Sequence, residues 1–552
     1  MCSAVPPANR LPWSQRAGLL VFSLLLLLPG TFRVSLVDRD EGWYAQVSRE
    51  MLAGGDWLIP HYLGEPWIAK PPLLYWCVAS SYAVLGVSTG AARLVPVIAA
   101  ALSVQLVATL AVRLFSRRVA WFAAISFITA GLPLIVGKML LTDALLLPCI
   151  LAAVLLLWRI ASRGETLGTC AAFWLFVGLA ALAKGPAVVP FVGAFAVGLC
   201  VRPETRRWLR GPRIWLTSPI SLLVCAPWYI YAAQQAGGTL VQQFIWYEVF
   251  SRFTNTPHGH GGPPGYHLAV ALSGWLPWTA LVPGALLDFW RARREVRPAW
   301  LLLLWCGLPW LLLELISSKL PHYTLPCYVP IALVLGHMWD TGLGRPTRPA
   351  QRVVLAIWAA VPILLGASLV AVGIIWRPLA WAPAAVASGL VLVGGFGVVR
   401  WLTQRGRLAA AWTGAVASVS VFHVLLGLWL LPGFEPYRLS RTIAAQANAQ
   451  HHAGDSLIVC GYEEPSTFFY LDQPARVVAA NELAGARAAA DGPLLLIAGA
   501  DELVAAGVTP DPHDPSWQRV AGFDYVKGRH EVVWIGRIAA EAGMAPGNVV
   551  GP

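Results

Sequence analysis

Acidic side chains that directly follow long apolar stretches are the first candidates for chemistry in this chain. Asp40 and Glu41 come just after the first such stretch, and Asp143 stands between two later ones. If these stretches cross a membrane, carboxylates at their ends are costly and tend to be functional. Each also has a structural interpretation, because Asp143 could cap the helix that follows it, and Asp40 and Glu41 could be ordinary first-turn acids.

Basic side chains in other loops complement these acids. The cationic candidates are Lys70, Lys184, Arg252 and Lys319, and both Lys184-Gly185-Pro186 and Lys319-Leu320-Pro321 predict an abrupt break in a helix. Breaks at membrane depth are tolerated where they line a cavity, and cations there suit a phosphate ester. The alternative is that each lysine only extends its ammonium group to the membrane surface.

The composition indicates which elements position these residues. Hydrophobic residues make up 57% of the 552 residues and charged residues only 12%, whereas soluble proteins carry about 25% charge. The chain therefore lacks the polar surface of a water-soluble globule, and we expect a polytopic membrane protein. The net charge of +12 does not indicate a nucleic acid partner, because the arginines fall in short clusters between apolar stretches.

The arginine clusters predict the topology. Apolar stretches and charges together indicate about thirteen transmembrane helices, and arginine-rich loops alternate with loops nearly without positive charge. The positive-inside rule places the arginine-rich loops and the N-terminus in the cytoplasm. We then expect a multi-pass protein of the inner (plasma) membrane, with three segments outside: the first loop over residues 38–94, the loop over residues 234–264 and the tail.

The tail differs in composition from the rest of the chain. We predict a transmembrane domain over residues 1–432 and a small periplasmic α/β domain over residues 433–552. In this tail we predict a helix and six strands, at residues 438–450 and at 456–460, 467–471, 477–479, 493–497, 519–526 and 531–535. In the first outer loop we predict two helices, at residues 40–52 and 73–85. The fold class is thus mainly α, a membrane helix bundle with a small α/β domain.

The sequence alone does not decide whether the protein requires a metal ion. The nine cysteines are scattered and show no metal-ligand spacing. Asp40 and Glu41 could supply oxygen ligands to a divalent cation, but one acidic pair is not a coordination shell.

Several motifs along the chain resemble one family of membrane enzymes. The segment from Asp40-Glu41-Gly42-Trp43-Tyr44 to Lys70-Pro71-Pro72 resembles the first outer loop of the lipid A aminoarabinose transferases. Thr142-Asp143-Ala144, Leu182-Ala183-Lys184-Gly185-Pro186, Arg252-Phe253, Trp275-Leu276-Pro277-Trp278 and Lys319-Leu320-Pro321-His322-Tyr323 resemble further motifs of that family, in the expected order. The family belongs with the protein O-mannosyltransferases in the C-type glycosyltransferase superfold.

The resemblance implies an activity and a role for each matching residue. Family members take a sugar from a polyprenyl-phosphate donor and transfer it to an acceptor at the outer leaflet, so the implied partners are that donor, a lipid or protein acceptor, and the membrane. Asp40, Glu41 and Asp143 would be the catalytic acids. The donor-phosphate site would comprise Lys70, Lys184, Arg252, Lys319 and His322, with Tyr44 and Tyr323 beside them.

The sugar and the acceptor stay open. Close relatives often have Glu before the lysine of the Lys-Pro motif, where this chain has Ala69. The alternatives are a protein O-mannosyltransferase-like enzyme, a lipid or solute transporter, and a non-catalytic receptor that uses the outer tail.

Overall fold

The fold has two compact parts. The computed structural model describes residues 10–235, 261–341, 349–377, 379–490, 492–511 and 513–538. Contacts between residues separate unit 1, which comprises Met1–Arg33, Trp57–Ile59 and Ile68–Gly433, from unit 2, which comprises Val34–Asp56, Pro60–Trp67 and Phe434–Pro552. Unit 2 therefore combines an early segment of the chain with its C-terminal part.

The described helices of the first half run as follows: α1 Trp13–Leu27, α2 Asp40–Gly54, α3 Leu73–Leu85, α4 Thr89–Leu114, α5 Arg117–Thr129, α6 Gly131–Lys138, α7 Thr142–Arg163, α8 Leu167–Lys184, α9 Val188–Cys200, α10 Pro203–Arg206, α11 Pro212–Leu216 and α12 Pro219–Gln235. The second half continues with α13 Tyr266–Gly274, α14 Val282–Arg291, α15 Ala299–Leu315, α16 Leu325–Thr341, α17 Pro349–Ile375, α18 Ala382–Gln404, α19 Leu408–Leu425, α20 Leu439–Gln450, α21 Pro465–Tyr470, α22 Leu483–Ala488 and α23 Ala500–Ala505. Both predicted helices of the first outer loop are present as α2 and α3.

Unit 1 is made of apolar helices. In the described residues, seven helical segments are long and apolar enough to cross a membrane, or eight if the bent pair α5 and α6 is one span. Many apolar side chains on the helices of unit 1 are exposed, such as Val84, Leu223 and Leu315, as expected where lipid is the solvent. The 65° bend between α5 and α6 occurs at Ala130, whose extended backbone ends one helix and begins the next.

Unit 2 contains the strands. A two-stranded antiparallel hairpin joins β1 His61–Tyr62 to β2 Glu65–Pro66. A five-stranded sheet has the order β4-β3-β5-β7-β6, with strands β3 Ser456–Cys460, β4 Arg476–Val477, β5 Leu494–Gly499, β6 Trp517–Asp524 and β7 Arg529–Ile538. Strand β3 pairs in parallel with β4 and β5, while β7 pairs antiparallel with β5 and β6.

Buried side chains hold helix α20 against this sheet. Ile443 and Ala447 of the helix pack in one core with Val459, Ile497 and Ile535 of the strands. One predicted strand, at residues 467–471, is wrong, because that segment belongs to helix α21. Pro465 stands at the first helical position, where its fixed φ favours a helix start, and this outweighs the β-forming residues that follow.

Helix α2 packs closely on helix α21 within unit 2. A Cβ atom added at Gly42 would lie 2.5 Å from the backbone nitrogen of Ser466 and 2.9 Å from Pro465. These are backbone and ring atoms that cannot move away easily, so this helix contact requires glycine.

We expect Gly42→Ala to lower the free energy of unfolding of unit 2 by about 1–3 kcal/mol, because overpacking forces backbone shifts. Gly54→Ala is the matched control in the same helix, since a Cβ atom there meets nothing within 4 Å. Thermal unfolding of the purified full-length variants tests this, and equal midpoints for the two variants would contradict the close helix contact.

Candidate active site

Helix ends in unit 1 bring four predicted site residues together. Asp143 lies in the first turn of α7, Lys184 is the last residue of α8, and His322 and Tyr323 lie in the 3-10 turn Pro321–Thr324. A carboxylate at a helix N-terminus and an ammonium at a C-terminus each complement the helix dipole. The ends of α7 and α8 therefore favour the placement of these two charges before any ligand is considered.

The Asp143 carboxylate is the centre of this group. Its side chain is buried, with Oδ2 lying 2.5 Å from Lys184 Nζ and 3.6 Å from His322 Nε2. The Lys184 ammonium also lies 4.6 Å from the centroid of the Tyr323 ring. We call Asp143, Lys184, His322 and Tyr323 the Asp143 cluster. It combines a buried carboxylate with a cation and an imidazole, the groups that acid–base chemistry or phosphate binding would require.

The backbone after Lys184 allows helix α8 to end abruptly at the cluster. Gly185 has a φ of 61° and a ψ of −141°, and the turn Gly185–Ala187 follows directly. A side chain would be strained in that conformation. The glycine of the predicted Lys-Gly-Pro motif thus permits a break that leaves Lys184 at the helix end.

Hydrogen bonds within unit 1 also hold the chain segment that precedes Lys70. The indole nitrogen of Trp228 donates to the Leu58 carbonyl at 2.8 Å, and that of Trp76 donates to the Trp57 carbonyl at 2.5 Å. Lys70 follows in the chain and is half-buried just before helix α3. Aromatic side chains of α12 and α3 therefore hold the backbone that leads to the Lys-Pro-Pro motif.

Lys319 has local partners in this structure. Its ammonium donates to the carbonyls of Glu314 at 2.8 Å and Ile316 at 2.9 Å, at the C-terminal end of α15. These contacts satisfy carbonyl groups that a helix end leaves unpaired. A role for Lys319 at the donor phosphate remains a prediction, and Arg252 lies outside the described residues.

The remaining acidic candidates lie in unit 2, at the start of helix α2. Glu41 is fully buried, and its carboxylate accepts the backbone N–H of Val37 at 2.8 Å. Tyr44, on the next turn, is also buried. Asp40 is half-buried, and among the described residues its side chain makes no hydrogen bond or ion pair. Asp40 is therefore the acid of this pair whose carboxylate is available to a substrate.

A third acid near this helix start, Asp38, was not among the predicted site residues. Its carboxylate accepts hydrogen bonds from the Ser440 hydroxyl at 2.9 Å and the Ser466 backbone at 3.0 Å. Burial raises the pKa of Asp38, against the effect of these hydrogen bonds. The sequence places Asp38 about 400 residues from its partners, so no local signal could have revealed them.

Unit 2 also contains a buried carboxylate, that of Glu464, with few groups nearby to stabilise its charge. Glu464 is 4% exposed, and its Oε2 atom has no hydrogen-bond partner among the described residues. The nearest cation is Arg39, whose Nε lies 3.9 Å away. Burial raises the pKa of Glu464 from 4.5 to about 7, helped by the negative charges of Asp38 and Asp524. No group of three or more His, Cys, Asp or Glu side chains in the described residues has a metal-binding arrangement.

The Glu464 pKa predicts a pH-dependent stability of unit 2. The pKa of Glu464 is raised from 4.5 to about 7 in the folded protein, so the folded state binds this proton more tightly than the unfolded state does. The free energy of unfolding therefore falls as the pH rises from about 4.5 to about 7. We expect Glu464→Gln to be more stable than the wild type at about pH 8, by on the order of 1 kcal/mol after solvent screening, and similar at about pH 5.

Thermal unfolding of the full-length protein across this pH range measures the effect. Glu463→Gln, at the exposed neighbouring residue, controls for the loss of one negative charge. Parallel pH profiles for the wild type and Glu464→Gln would show that Glu464 titrates normally.

Known proteins resemble this chain both in fold and in sequence. The family model described as dolichyl-phosphate-mannose-protein mannosyltransferase matches residues 69–231. The fold is similar to that of ArnT from Cupriavidus metallidurans bound to undecaprenyl phosphate, with a TM-score of 0.75, 21% identity and coverage of 95% of this chain and 98% of that one. At this identity the likeness establishes the fold alone, which is that of ArnT.

Relatives found by sequence similarity identify the family, whereas the structural likeness shows only the fold. The undecaprenyl phosphate-alpha-4-amino-4-deoxy-L-arabinose arabinosyl transferase of Erwinia tasmaniensis is 33% identical over 63% of this chain, and the match covers 64% of its own length, just under two thirds. The protein of the same name from Pectobacterium carotovorum is 31% identical over 420 residues, which are 74% of each chain. The chain therefore belongs to the family of the undecaprenyl phosphate-aminoarabinose arabinosyl transferases.

Proposed function

We propose that this protein is an integral membrane glycosyltransferase that moves a sugar from a polyprenyl-phosphate donor to a lipid A-like acceptor at the outer leaflet. The observation that supports this most strongly is the Asp143 cluster, which places a buried carboxylate, a lysine and a histidine at the ends of apolar helices. Its relatives are named for undecaprenyl phosphate-linked aminoarabinose, and aminoarabinose is accordingly the first sugar to test.

Cations around the donor phosphate would assist departure of the lipid. In the reaction the bond between C1 of the sugar and the phosphate oxygen breaks, and polyprenyl phosphate leaves with the electron pair. The proposed phosphate ligands are Lys70, Lys184 and Arg252, together with Lys319 and His322. Fixed cations stabilise the negative charge as it develops, and they need no rearrangement during the step.

The acceptor oxygen attacks C1 from the face opposite the leaving phosphate, which inverts the configuration. If that oxygen belongs to a hydroxyl group, its proton passes to a carboxylate, and Asp40 is the proposed base because its side chain has no partner among the described residues. If the oxygen belongs to a phosphate, no base is required, and Asp40 orients the acceptor. Asp143 offsets positive charge on the sugar ring and holds Lys184 in place.

The arginine distribution supports a specific orientation. We propose about thirteen spans in a transmembrane domain over residues 1–432, with the N-terminus in the cytoplasm, in the inner membrane. Residues 433–552 then form a domain on the periplasmic side, which is where a lipid acceptor of the outer leaflet is accessible.

A protein acceptor is the second candidate. The match of residues 69–231 to the protein mannosyltransferase model favours it. Incubation of the purified enzyme with radiolabelled polyprenyl-phosphate sugars, membrane lipids and membrane proteins separates the two, since the label appears either in lipid or in protein. Label in neither would contradict the proposed transfer.

We expect Asp40→Asn and Asp143→Asn each to reduce sugar transfer by about 100-fold or more, because each removes a charge that acts in the transition state. Initial rates with a radiolabelled donor and purified enzyme measure this. Asp288→Asn and Asp501→Asn are the controls, one in each unit and outside the proposed site. Near-normal rates in both site variants would refute the carboxylate assignment.

We expect Lys184→Ala to weaken binding of undecaprenyl phosphate by about tenfold, which corresponds to the loss of one charge-assisted contact. Titration of the lipid against the purified protein, without acceptor, isolates binding from turnover. Lys527→Ala, which removes the lysine of unit 2, is the control. An unchanged affinity in Lys184→Ala would mean that Lys184 serves only as the ion-pair partner of Asp143.

A further inference from the structure

The segment that precedes helix α2 is bound by side chains from the C-terminal part of unit 2. The Tyr470 hydroxyl accepts the backbone N–H of Leu36 at 2.8 Å. The Glu435 carboxylate accepts the backbone N–H of Ser35 at 2.9 Å and also binds its hydroxyl group. An early loop of the chain is thus held, residue by residue, by groups about 400 positions later.

Asp38 of this segment is bound through both its backbone and its carboxylate. The Tyr525 hydroxyl accepts the Asp38 backbone N–H at 2.6 Å and lies 3.2 Å from its Oδ2 atom. Ser440 donates to the same oxygen at 2.9 Å, and the Ser466 backbone donates to Oδ1 at 3.0 Å. We call Asp38, Ser440, Ser466 and Tyr525 the Asp38 clamp. Its donors come from helix α20, helix α21 and the turn between β6 and β7.

A second set of contacts fixes the other end of helix α2. The Arg49 guanidinium group donates to the carbonyls of Phe469 at 3.1 Å and Leu471 at 2.8 Å, at the C-terminal end of α21. Gly42 allows α2 to lie directly on the start of α21. Both ends of α2 are therefore bound within unit 2, and rotation of the helix about its axis would break several contacts.

Asp40 differs from its neighbours in this arrangement. Asp38 has three donors and Glu41 binds Val37, whereas the side chain of Asp40 makes no hydrogen bond or ion pair within the described residues. Two bound acids therefore flank the one whose carboxylate is available. This is the pattern expected where supporting hydrogen bonds hold a reactive group in a fixed direction.

We propose that the C-terminal part of unit 2 positions Asp40 for the reaction, and that Asp38 is a positioning residue which acts through the Asp38 clamp. Asp38 itself touches neither donor nor acceptor in this scheme, which rests on the proposed function of Asp40. Catalysis depends steeply on such placement, because a shift of about 1 Å can cost about 100-fold in rate.

Hydrogen exchange tests the clamp independently of catalysis. Tyr525→Phe removes the hydroxyl group that binds Asp38, and Ser440→Ala removes a second donor in case the first variant folds poorly. We expect amide exchange over residues 39–48 to accelerate by about tenfold in each variant, as local opening becomes easier. Arg537→Ala is the control, because it breaks the ion pair with Asp455, 2.7 Å long, in the same unit but away from helix α2.

The kinetic constants test the positioning role. We expect Tyr525→Phe to lower kcat by about tenfold while the KM for the donor changes by less than about twofold, because ground-state donor binding does not use Asp40. A merely structural role predicts instead that Tyr525→Phe and Arg537→Ala lower activity in proportion to their loss of stability. That result, or unchanged exchange in helix α2, would overturn the positioning role.

The two measurements separate the possible failures. If the wild type transfers no sugar from any polyprenyl-phosphate donor, the proposed function fails, while the exchange experiment still decides whether the clamp holds α2. If transfer is observed and faster exchange in α2 leaves kcat unchanged, the clamp exists but does not position a reacting group.

Discussion

Charges beside apolar helices must have partners, and this constraint governs the placement of Asp143 and of three lysines in unit 1. The buried Asp143 carboxylate is balanced by Lys184, and the Lys319 ammonium binds two carbonyls at the end of α15. Lys138 likewise donates to the Pro29 carbonyl at 2.7 Å. An unpaired charge at such a site would cost several kcal/mol, and helix ends are where carbonyls, N–H groups and dipoles can offset that cost.

The same constraint explains why the candidate chemistry lies where helices break. Lys184 can lie at a helix end because Gly185 adopts a positive φ, and His322 lies in a short 3-10 turn between two longer apolar helices. Groups in the middle of an apolar helix would have only lipid or packed side chains around them. Breaks supply both the polar backbone that stabilises a charge and the room for a substrate.

The sequence predicted the helical class and the membrane setting, because these depend on composition and on the length of apolar stretches. The fold brings together Asp143 and Lys184, which come from two of the predicted motifs, and their role as site residues stays a prediction. Contacts such as that of Asp38 with Ser440 could not be predicted, because they join residues 402 positions apart without any periodic pattern. The segment 467–471 was misassigned because strand propensity in its aromatic residues competed with a proline helix start.

Unit 2 is made of segments far apart in the chain, and this affects the order in which the protein folds during synthesis. Val34–Asp56 is synthesised well before its partners in Phe434–Pro552. Gly42 and Arg49 of helix α2 therefore lack their packing partner, helix α21, until the membrane helices in between have been made and inserted. A chain that ends before residue 434 would leave helix α2 without the helix on which it packs, and therefore open to proteolysis.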